Sequence, residues 1–528
     1  MITHSTLNLV LIRISILLLQ HAPLIEVILL VPLLHGTILN AKPISWPLIL
    51  LASLLTLEAA YYLLLYQRHK TRLLHTKATH PHPPLTSAQR QALFDRCAAN
   101  IPDWESYLRG WFLNAPLSEI HHDNIREFLL WAFFDHGGDN DSTPLDSDSE
   151  SHLLSLISQT ETLIGRKFPP GRGPATTKSL RLTIDPISTR YRSVLWYFII
   201  TLTDAITHLH LQYHGFAYHT PSRSTQSSFP PRLSHLPWGQ NPSPARSTSY
   251  YLRPHKQGSP GLPVVFLHGI GIGLWPYRDF LSYLPATSGI LALETLPISS
   301  RLTSPLLSKT QFLSELSTIL SSLGWEDFVL VTHSYGSVLA THMLHSPSFN
   351  PRIEGLVLID PVTVLLHLPS VAYNFTRRQP QRANEHQLHY FASTDLGIAE
   401  GLGRYFFWRE NIIWKEELLL QGQGDGTTRR KVAVCLAEKD LIVDTKNVAR
   451  YLASEKKGLR EIMELGDEDE NTRLGVVNGE GDNTYLAPSG VEIHWFQDLD
   501  HAQVFEESKD LDRVLQVVGR FCQGRHDS

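Results

Sequence analysis

Long apolar runs fill the first 67 residues of the chain. The run from Trp46 to Tyr66 has 21 residues and a single charge, at Glu58, so it suits a membrane-spanning helix. The run from Leu7 to Leu39 is also apolar, but it is too long to be one element and is interrupted by charges and prolines. Only its second part, Ala22 to Leu39, is expected to cross. We therefore predict an anchor of one or two membrane helices within residues 1–67.

The orientation of this anchor follows from the charges beside it. Apolarity continues far beyond the length of a signal-peptide core, which disfavours a cleaved signal peptide. Basic residues follow the second run directly, at Arg68, Lys70, Arg72 and Lys77. Positive flanks stay on the cytosolic side of a membrane, so we expect an integral membrane protein in which the rest of the chain, after this flank, is cytosolic.

Residues 68–219 have the apolar spacing of helices. One helix is predicted from Ser87, after a Ser/Thr cap signal, and a second in the run IREFLLWAFF that follows Asp123. A third is predicted over Ser149 to Gly165, where the glycine is a plausible stop. These patterns indicate a helical region between the anchor and the rest of the chain.

The run from Ser193 to Leu211 is apolar nearly all round and allows two interpretations. Its length fits a third membrane span. However, Asp204, His208 and His210 are costly in a lipid-facing helix. We therefore favour a buried or interfacial helix.

The pattern changes after a Ser-, Pro- and Arg-rich stretch at residues 220–249, which is expected to be a linker. From Tyr250 onward, short apolar runs alternate with helical segments, such as Thr310 to Leu323, which ends at Gly324. Short buried strands separated by helices indicate an α/β domain over residues 250–528, with a mostly parallel sheet covered on both faces. The predicted strands are Pro263-VVFLHG, Gly289-ILALETL, the run from Phe328, Ile353-EGLVLID, Lys431-VAVCLAEKD and Val491-EIHWFQD.

Composition excludes several classes of function. The net charge of -5 and the pI of about 6.6 do not fit a nucleic-acid-binding protein. The three cysteines, Cys97, Cys435 and Cys522, show no C-x-x-C spacing, and no H-E-x-x-H occurs. His80 and His82 lie in a polar stretch without the spacing of metal ligands. We expect no metal and no cofactor.

The stretch FVLVTHSYGSVLATHML, Phe328 to Leu344, is the strongest chemical signal in the chain. A buried strand breaks at a tight turn with Ser334 at its apex, and a helix resumes from Ser337. This order is typical of a nucleophile elbow, in which a strained turn exposes the serine. Gly336 supplies one of the small neighbours that the turn needs, whereas Thr332 stands where a second glycine is expected.

A serine hydroxyl needs a base, and the base needs a carboxylate that orients it. Asp440 follows the strand KVAVC, and His501 follows the strand VEIHWF, so both lie at the strand ends where catalytic groups of parallel sheets gather. Ser334, Asp440 and His501 therefore form the predicted triad. Alternatives are Asp360 or Asp444 for the acid and His494 for the base.

A loop rich in glycine follows the first predicted parallel strand, and it is expected to complete an oxyanion hole. We assign the two amide donors to Tyr335 and Ile270, with Gly271 a close second, and expect His268 and Gly269 to support the loop. The glycines of this loop do not have the G-x-G-x-x-G spacing of a dinucleotide-binding turn.

The segments HGIGIG, THSYG, LIDPV, AEKDLIVD and DLDHA, in this order, resemble the α/β-hydrolase superfamily. The resemblance covers residues 250–528, and the membrane-anchored first half resembles that of fungal members. It implies a sheet core with a helical cap, here residues 366–426, and ester, thioester, amide or lipid substrates. A second insertion, residues 455–490, is acidic and rich in glycine and is expected to be flexible.

The expected function is therefore a membrane-anchored serine hydrolase that cleaves an apolar lipid or acyl ester through an acyl-enzyme. Aromatic residues of the cap favour an apolar substrate. Acyl transfer with the same triad, or a non-catalytic lipid-binding scaffold, are the alternatives that the sequence leaves open. The expected partners are an ester substrate and the bilayer, without nucleic acid. The aromatic residues are Tyr390, Phe391, Tyr405, Phe406, Phe407, Trp408 and Trp414.

Overall fold

A computed structural model gives the fold of most of the chain. The predicted insertion at 455–490 lies mainly outside the described residues, as do His80 and His82 and the end of the predicted cap. The structure describes residues 2–3, 5–39, 43–78, 83–137, 144–221, 228–232, 240–256, 258–259, 261–421, 428–454, 484–506 and 508–523.

The N-terminal region folds as long helices rather than as broken segments. Helix α1 runs without a break over Thr6–Leu39, although it contains Pro23 and Pro32. The prediction that this run is too long for one element is wrong, because a helix in an apolar setting tolerates the loss of single backbone hydrogen bonds at proline. Helix α2 (Trp46–Tyr61) continues through a π-helical turn into α3 (Gln67–His75).

Among the described residues, three helices are long and apolar enough to cross a membrane: α1, the continuous helix Trp46–His75, and α8 (Val194–Tyr213). Most of the large apolar side chains of α1 and α2 are exposed. The continuous helix Trp46–His75 also contacts the C-terminal part of the chain, since the guanidinium of Arg72 lies 2.7 Å from the carboxylate of Glu400.

Between α3 and α8 lies the predicted helical region, whose helix starts are set by local caps. The hydroxyl of Thr86 accepts the Gln89 amide in a capping box, and Asp146 accepts the Ser149 amide. Gly165 ends its helix in the left-handed conformation, as expected. The helices are α4 (Ser87–Ala99), α5 (Trp104–Trp111), α6 (His122–Phe134) and α7 (Ser147–Ile164).

The stretch expected to be a linker contributes instead to the main sheet. Strands β1 (Ala217–Thr220), β2 (Gln240–Pro242) and β3 (Ser249–Arg253) form one edge of it. Strand β3 pairs antiparallel with both β1 and β5 (Ile290–Glu294). The pairing buries three tyrosines, which explains why these short polar segments fold as strands: Tyr218, Tyr250 and Tyr251.

The described residues form a ten-stranded sheet in the order β11-β12-β10-β7-β6-β4-β5-β3-β1-β2. Its six central strands, from β12 to β5, are parallel, so the predicted mostly parallel sheet is confirmed. The remaining strands are β4 (Val264–Leu267), β6 (Phe328–His333), β7 (Ile353–Ile359), β10 (Lys431–Ala437), β11 (Thr484–Leu486) and β12 (Val491–Phe496), with β8 (Leu420–Gln421) and β9 (Thr428–Arg429) in a separate hairpin.

Helices cover both faces of this sheet and define two cores. One face packs under the helices that follow β5, β6 and β10, and the other under the helix that follows β4 and the last helix of the chain. The covering helices are α9 (Arg278–Tyr283), α10 (Lys309–Leu323), α11 (Gly336–Leu344), α17 (Thr445–Ala453) and α18 (Ser508–Cys522).

Short helices between β7 and β10 occupy the region predicted to be a cap. They pack against α1, α3 and α5 as well as against the sheet domain. The cap helices are α12 (Pro369–Thr376), α13 (Ala383–Leu388), α14 (Leu396–Tyr405), α15 (Trp408–Asn411) and α16 (Lys415–Leu419).

Candidate active site

Ser334 lies at the sharp turn between β6 and α11, with a φ of 51°. This left-handed conformation costs a residue with a side chain about 1–3 kcal/mol. Two contacts hold it: the Ser334 amide donates to the Ile359 carbonyl at 2.9 Å, and the Ser337 hydroxyl donates to the Ser334 carbonyl at 2.6 Å. The strain is therefore fixed by the neighbouring strand and the helix start.

Close packing explains the glycines around the turn. A Cβ on Gly336 would lie 2.2 Å from the Leu267 carbonyl oxygen, and one on Gly269 would lie 2.8 Å from the Ser334 Cβ. Thr332, where a glycine is expected, lies within β6 with its side chain buried. The threonine is thus accommodated without breaking the turn.

The structure brings Ser334, His501 and Asp440 together. His501 Nε2 lies 2.9 Å from Ser334 Oγ, and His501 Nδ1 lies 2.7 Å from Asp440 Oδ2. The second Asp440 oxygen accepts the amides of Ile442 and Val443 at 2.7 and 2.9 Å. With Nδ1–H donating to Asp440, Nε2 is free to accept the serine proton.

The competing acids and the competing base make other hydrogen bonds, although a carboxylate oxygen of Asp360 lies within 4.8 Å of a ring nitrogen of His501. Asp360 accepts the amides of Ala437 and Ala502 at 3.0 and 2.9 Å. Asp444 caps α17 through the Asn447 amide, and His494 lies in the strand β12 beside Thr484. The geometry therefore favours Asp440 and His501 over these alternatives.

Charge around His501 changes its pKa. Burial lowers the pKa of the imidazole, but the negative charges of Asp440 and Asp360 and the hydrogen bond to Asp440 outweigh burial and raise it to about 9. Burial likewise lowers the pKa of His333, to about 4, so His333 is neutral at pH 7. The site thus combines one strongly basic imidazole with a neutral one.

The predicted oxyanion amides differ in their availability. Among the hydrogen bonds of the described residues, none uses the backbone amide of Ile270 or of Tyr335. Gly271, predicted as a close second, is wrong as a donor, because its amide donates to the Ile298 carbonyl at 3.1 Å. Two amides near Ser334 therefore remain for a developing negative charge.

His268 supports the loop as expected, and Tyr277 supports it in a way that the sequence did not predict. The His268 ring accepts the Thr295 amide and donates to the Gly269 carbonyl. The Tyr277 hydroxyl accepts the Gly269 amide at 3.1 Å and lies 2.7 Å from His333 Nδ1. One phenol thus joins the loop to the elbow. Only its place eight residues after Gly269 was visible in the sequence.

Most aromatic residues expected to line a substrate pocket pack elsewhere. The Phe406 ring lies 6.2 Å from the ring of Tyr335, beside the elbow. Trp408 packs instead against Phe133, and Trp414 against His367. The aromatic content of the cap therefore serves mainly its contact with the helical region.

The candidate site is largely closed to solvent. Ser334 and His501 are buried, with 6% and 5% of their surfaces exposed. A separate cleft of about 880 Å³ opens between the helical region and the cap, near Arg126 and Arg377, and the three triad residues do not line it.

Comparison with known proteins adds one family match. The model described as "Alpha/beta hydrolase family" matches residues 264–454. No curated protein matches the chain significantly.

Several solved structures are similar to parts of the chain. A membrane phospholipase A, described as a bacterial virulence factor, is 12% identical, covers 62% of this chain and 94% of its own, and has a TM-score of 0.35. A carboxylesterase from Bacillus subtilis is 12% identical, with 60% and 98% covered and a TM-score of 0.31. A putative lipase from Acinetobacter baumannii is 9% identical, with 60% and 93% covered and a TM-score of 0.36. Similarities of this size say nothing about the substrate.

Proposed function

We propose that the chain, whose residues 264–454 match the model described as "Alpha/beta hydrolase family", is a membrane-anchored serine hydrolase that cleaves an apolar carboxylic ester. The family match and the sheet confirm the fold expected from the sequence, and they agree with an ester-hydrolysing enzyme. The observation that carries the proposal is the continuous chain of hydrogen bonds from Asp440 through His501 to Ser334.

In the proposed mechanism, Ser334 Oγ attacks the ester carbonyl carbon while His501 Nε2 takes its proton. Asp440 stabilises the imidazolium that forms. The tetrahedral oxyanion accepts hydrogen bonds from the amides of Ile270 and Tyr335. The imidazolium then gives its proton to the departing alkoxide, which leaves as an alcohol, and Ser334 remains acylated.

The second half repeats these steps with water. His501 removes a proton from a water molecule, whose oxygen attacks the acyl carbon of the ester on Ser334. Collapse of the second tetrahedral intermediate returns the proton to Ser334 Oγ and releases a carboxylic acid. An alcohol that replaces this water would give acyl transfer, with the same three residues in the same roles.

The apolar class of substrate is inferred from the setting of the site. The exposed apolar side chains of α1 and α2 suit a bilayer, and the cap contacts α1 directly. An enzyme body held in this way meets esters that dissolve in the membrane. The proposed partner is therefore a lipid or acyl ester, with the bilayer as its reservoir.

A fluorophosphonate probe tests the mechanism in the full chain, purified in detergent or nanodiscs. The probe reacts with an activated serine, so we expect labelling of the native protein and none of Ser334→Ala. Ser322→Ala, which changes an exposed serine of α10, is the control and should keep its labelling. Labelling that persists in Ser334→Ala would contradict the assignment. Product analysis with and without a long-chain alcohol then separates hydrolysis from acyl transfer.

A further inference from the structure

Helix α8 presents its polar side chains to the sheet domain. Asp204 forms an ion pair with the buried guanidinium of Arg301. His208 Nδ1 lies 3.1 Å from the hydroxyl of Tyr251, which belongs to β3. These contacts explain why the polar residues of this apolar helix occur where they do, and they fix one face of α8 against the protein.

The opposite face of α8 is an exposed apolar stripe. Its members recur every three or four residues, so they lie on one side of a helix that is about 30 Å long. Their exposed fractions are 64% at Phe198 and Leu209 and 87% at Tyr213. A continuous apolar surface of this length is unusual on a protein surface that faces only water. The stripe consists of Leu195, Phe198, Ile199, Leu202, Ile206, Leu209 and Tyr213.

The start of α8 is joined directly to both anchor helices. The Ser193 hydroxyl donates to the Leu19 carbonyl of α1 at 2.7 Å, and the Val194 amide donates to the Glu58 carboxylate of α2 at 2.9 Å. The exposed stripe therefore continues the exposed apolar surface of α1 and α2. Lipid that surrounds α1 and α2 would therefore also surround the stripe, so we take lipid as the molecule that contacts it.

We propose that α8 lies in the membrane interface, with the stripe among the lipid acyl chains, and that it does not cross the bilayer. A crossing would carry the ion pair and strands packed against α8 into the hydrocarbon, where exposed strand edges are not tolerated. Interfacial helices with one apolar and one polar face bind membranes in this orientation. The inference rests on the membrane anchoring in the proposed function and extends it to the surface of the sheet domain.

This position has a consequence for the active site. The apolar cluster at the start of α8 contains Trp196 and Tyr197 together with Tyr390 and Leu396 of the cap region. Ile272, two residues beyond the predicted oxyanion donor Ile270, packs against the same cluster. The bilayer surface thus lies beside the cap and the oxyanion loop, so an ester in the membrane reaches this region without crossing water.

Depth measurements on the full chain in phosphatidylcholine liposomes test the proposal. Single cysteines at Leu195, Leu202 and Leu209, in a variant without the native cysteines, carry an environment-sensitive fluorophore. Quenching of the fluorophore by lipids that carry a spin label at a shallow or a deep position measures its depth in the bilayer. Quenching by aqueous iodide measures its exposure to water. We expect the same shallow depth at all three positions. Leu154→Cys, at an exposed leucine of α7 whose exposed neighbours are polar, is the control and should be quenched by iodide alone.

Two results would overturn the proposal. Iodide quenching without lipid quenching at the stripe positions would show that α8 faces water. A depth that passes through the bilayer centre between Leu195 and Leu209 would show that α8 crosses. Fluorophosphonate labelling of the same variants is measured in parallel. Absence of labelling would contradict the proposed hydrolase, whereas the measured depths test only the position of α8, so the two proposals can fail separately.

Discussion

At the scale of single residues, the candidate site depends on polar atoms from segments far apart in sequence. Ser334 follows β6, Asp440 follows β10 and His501 follows β12, yet their side chains meet within hydrogen-bonding distance. Parallel strands deliver these residues to one edge of the sheet. The strained turn at Ser334 holds the hydroxyl in place before a substrate arrives, so little reorganisation is needed during the reaction.

Removing the base should abolish most of the activity. We expect His501→Ala to lower kcat by about 10⁴-fold, since the serine loses its proton acceptor while the oxyanion amides remain. Ester hydrolysis by the full chain in nanodiscs measures this. His494→Ala is the matched control, because His494 lies in the sheet away from Ser334, and it should keep kcat within about twofold. Equal losses in the two variants would contradict the assignment.

The pH dependence of kcat/KM should follow His501. Its pKa is raised to about 9, and only the neutral ring accepts a proton, so activity should rise with pH and level off above about 9. Asp360 contributes to the raised pKa, so Asp360→Asn should move the midpoint to lower pH. A midpoint that stays in place or moves upward in this variant would contradict the electrostatic role of Asp360.

Tyr277 is expected to position the oxyanion loop. Tyr277→Phe removes the hydroxyl between Gly269 and His333, and we expect kcat to fall about tenfold with KM nearly unchanged, a loss of about 1.4 kcal/mol in the transition state. Tyr283→Phe, at an exposed position of α9, is the control. A fall in thermal stability with kcat unchanged would assign Tyr277 a structural role only.

The juxtaposition of Ser334, Asp440 and His501 follows from the sequence more readily than the hydrogen bonds of the loop amides. Ser334, Asp440 and His501 are selected by their order along the chain and by their positions just after predicted strands. Both criteria can be read from the sequence without knowing any contact between distant residues. The availability of an amide depends on distant acceptors. Gly271 is excluded by the carbonyl of Ile298, which comes from another loop, and no pattern around Gly271 reveals that contact.

At the scale of elements, the elbow illustrates how a strand, a turn and a helix depend on one another. Strand β6 lies beside β4, and α11 starts so close to β4 that only glycine fits at position 336. This crossing places Ser334 above the sheet. Any side chain at Gly336 must push α11 away from the Leu267 carbonyl.

Gly336→Ala should therefore destabilise the fold. The added Cβ would lie 2.2 Å from a backbone oxygen, and we expect the free energy of unfolding to fall by about 1–3 kcal/mol, with activity lost as well. Thermal unfolding in detergent measures the change. Gly519→Ala in α18 is the control, since its nearest neighbour would be 3.9 Å away, and it should leave stability unchanged or slightly raised. An unchanged melting temperature for Gly336→Ala would contradict the close approach.

Elements with strong local signals are predicted well, and those that depend on pairing are not. Helix α10 has a capping box at Ser308 and a left-handed glycine at its end, so its bounds follow from the sequence. Strands β1 and β2 have only four and three residues, and their partners lie elsewhere in the chain. Such short strands carry too few residues for a periodic pattern, which explains why the sequence predicts neither of them.

At the scale of the whole molecule, the anchor, the cap and the sheet domain are packed as neighbours. Helix α1 contacts α13 of the cap, and α8 contacts both anchor helices and the sheet domain. The long apolar helices α1, α2 and α8 are therefore packed against the rest of the protein rather than detached from it.

The proposed orientation predicts which side of the membrane the body occupies. In sealed microsomes, an added protease should digest the sheet domain, because the basic flank after α2 favours the cytosolic side. A lumenal marker protein in the same microsomes should remain intact. Asn374 lies in a glycosylation sequon, so a glycan on this residue would contradict the cytosolic orientation.

The ion pair between Arg72 and Glu400 links the end of the second anchor helix to a cap helix. A bilayer whose thickness does not match the hydrophobic length of that helix changes the helix tilt. A change of tilt would move Arg72 and, through the ion pair, Glu400 of the cap helix α14. We therefore expect the turnover rate of the proposed hydrolase to change with the acyl-chain length, and so with the thickness, of the host membrane.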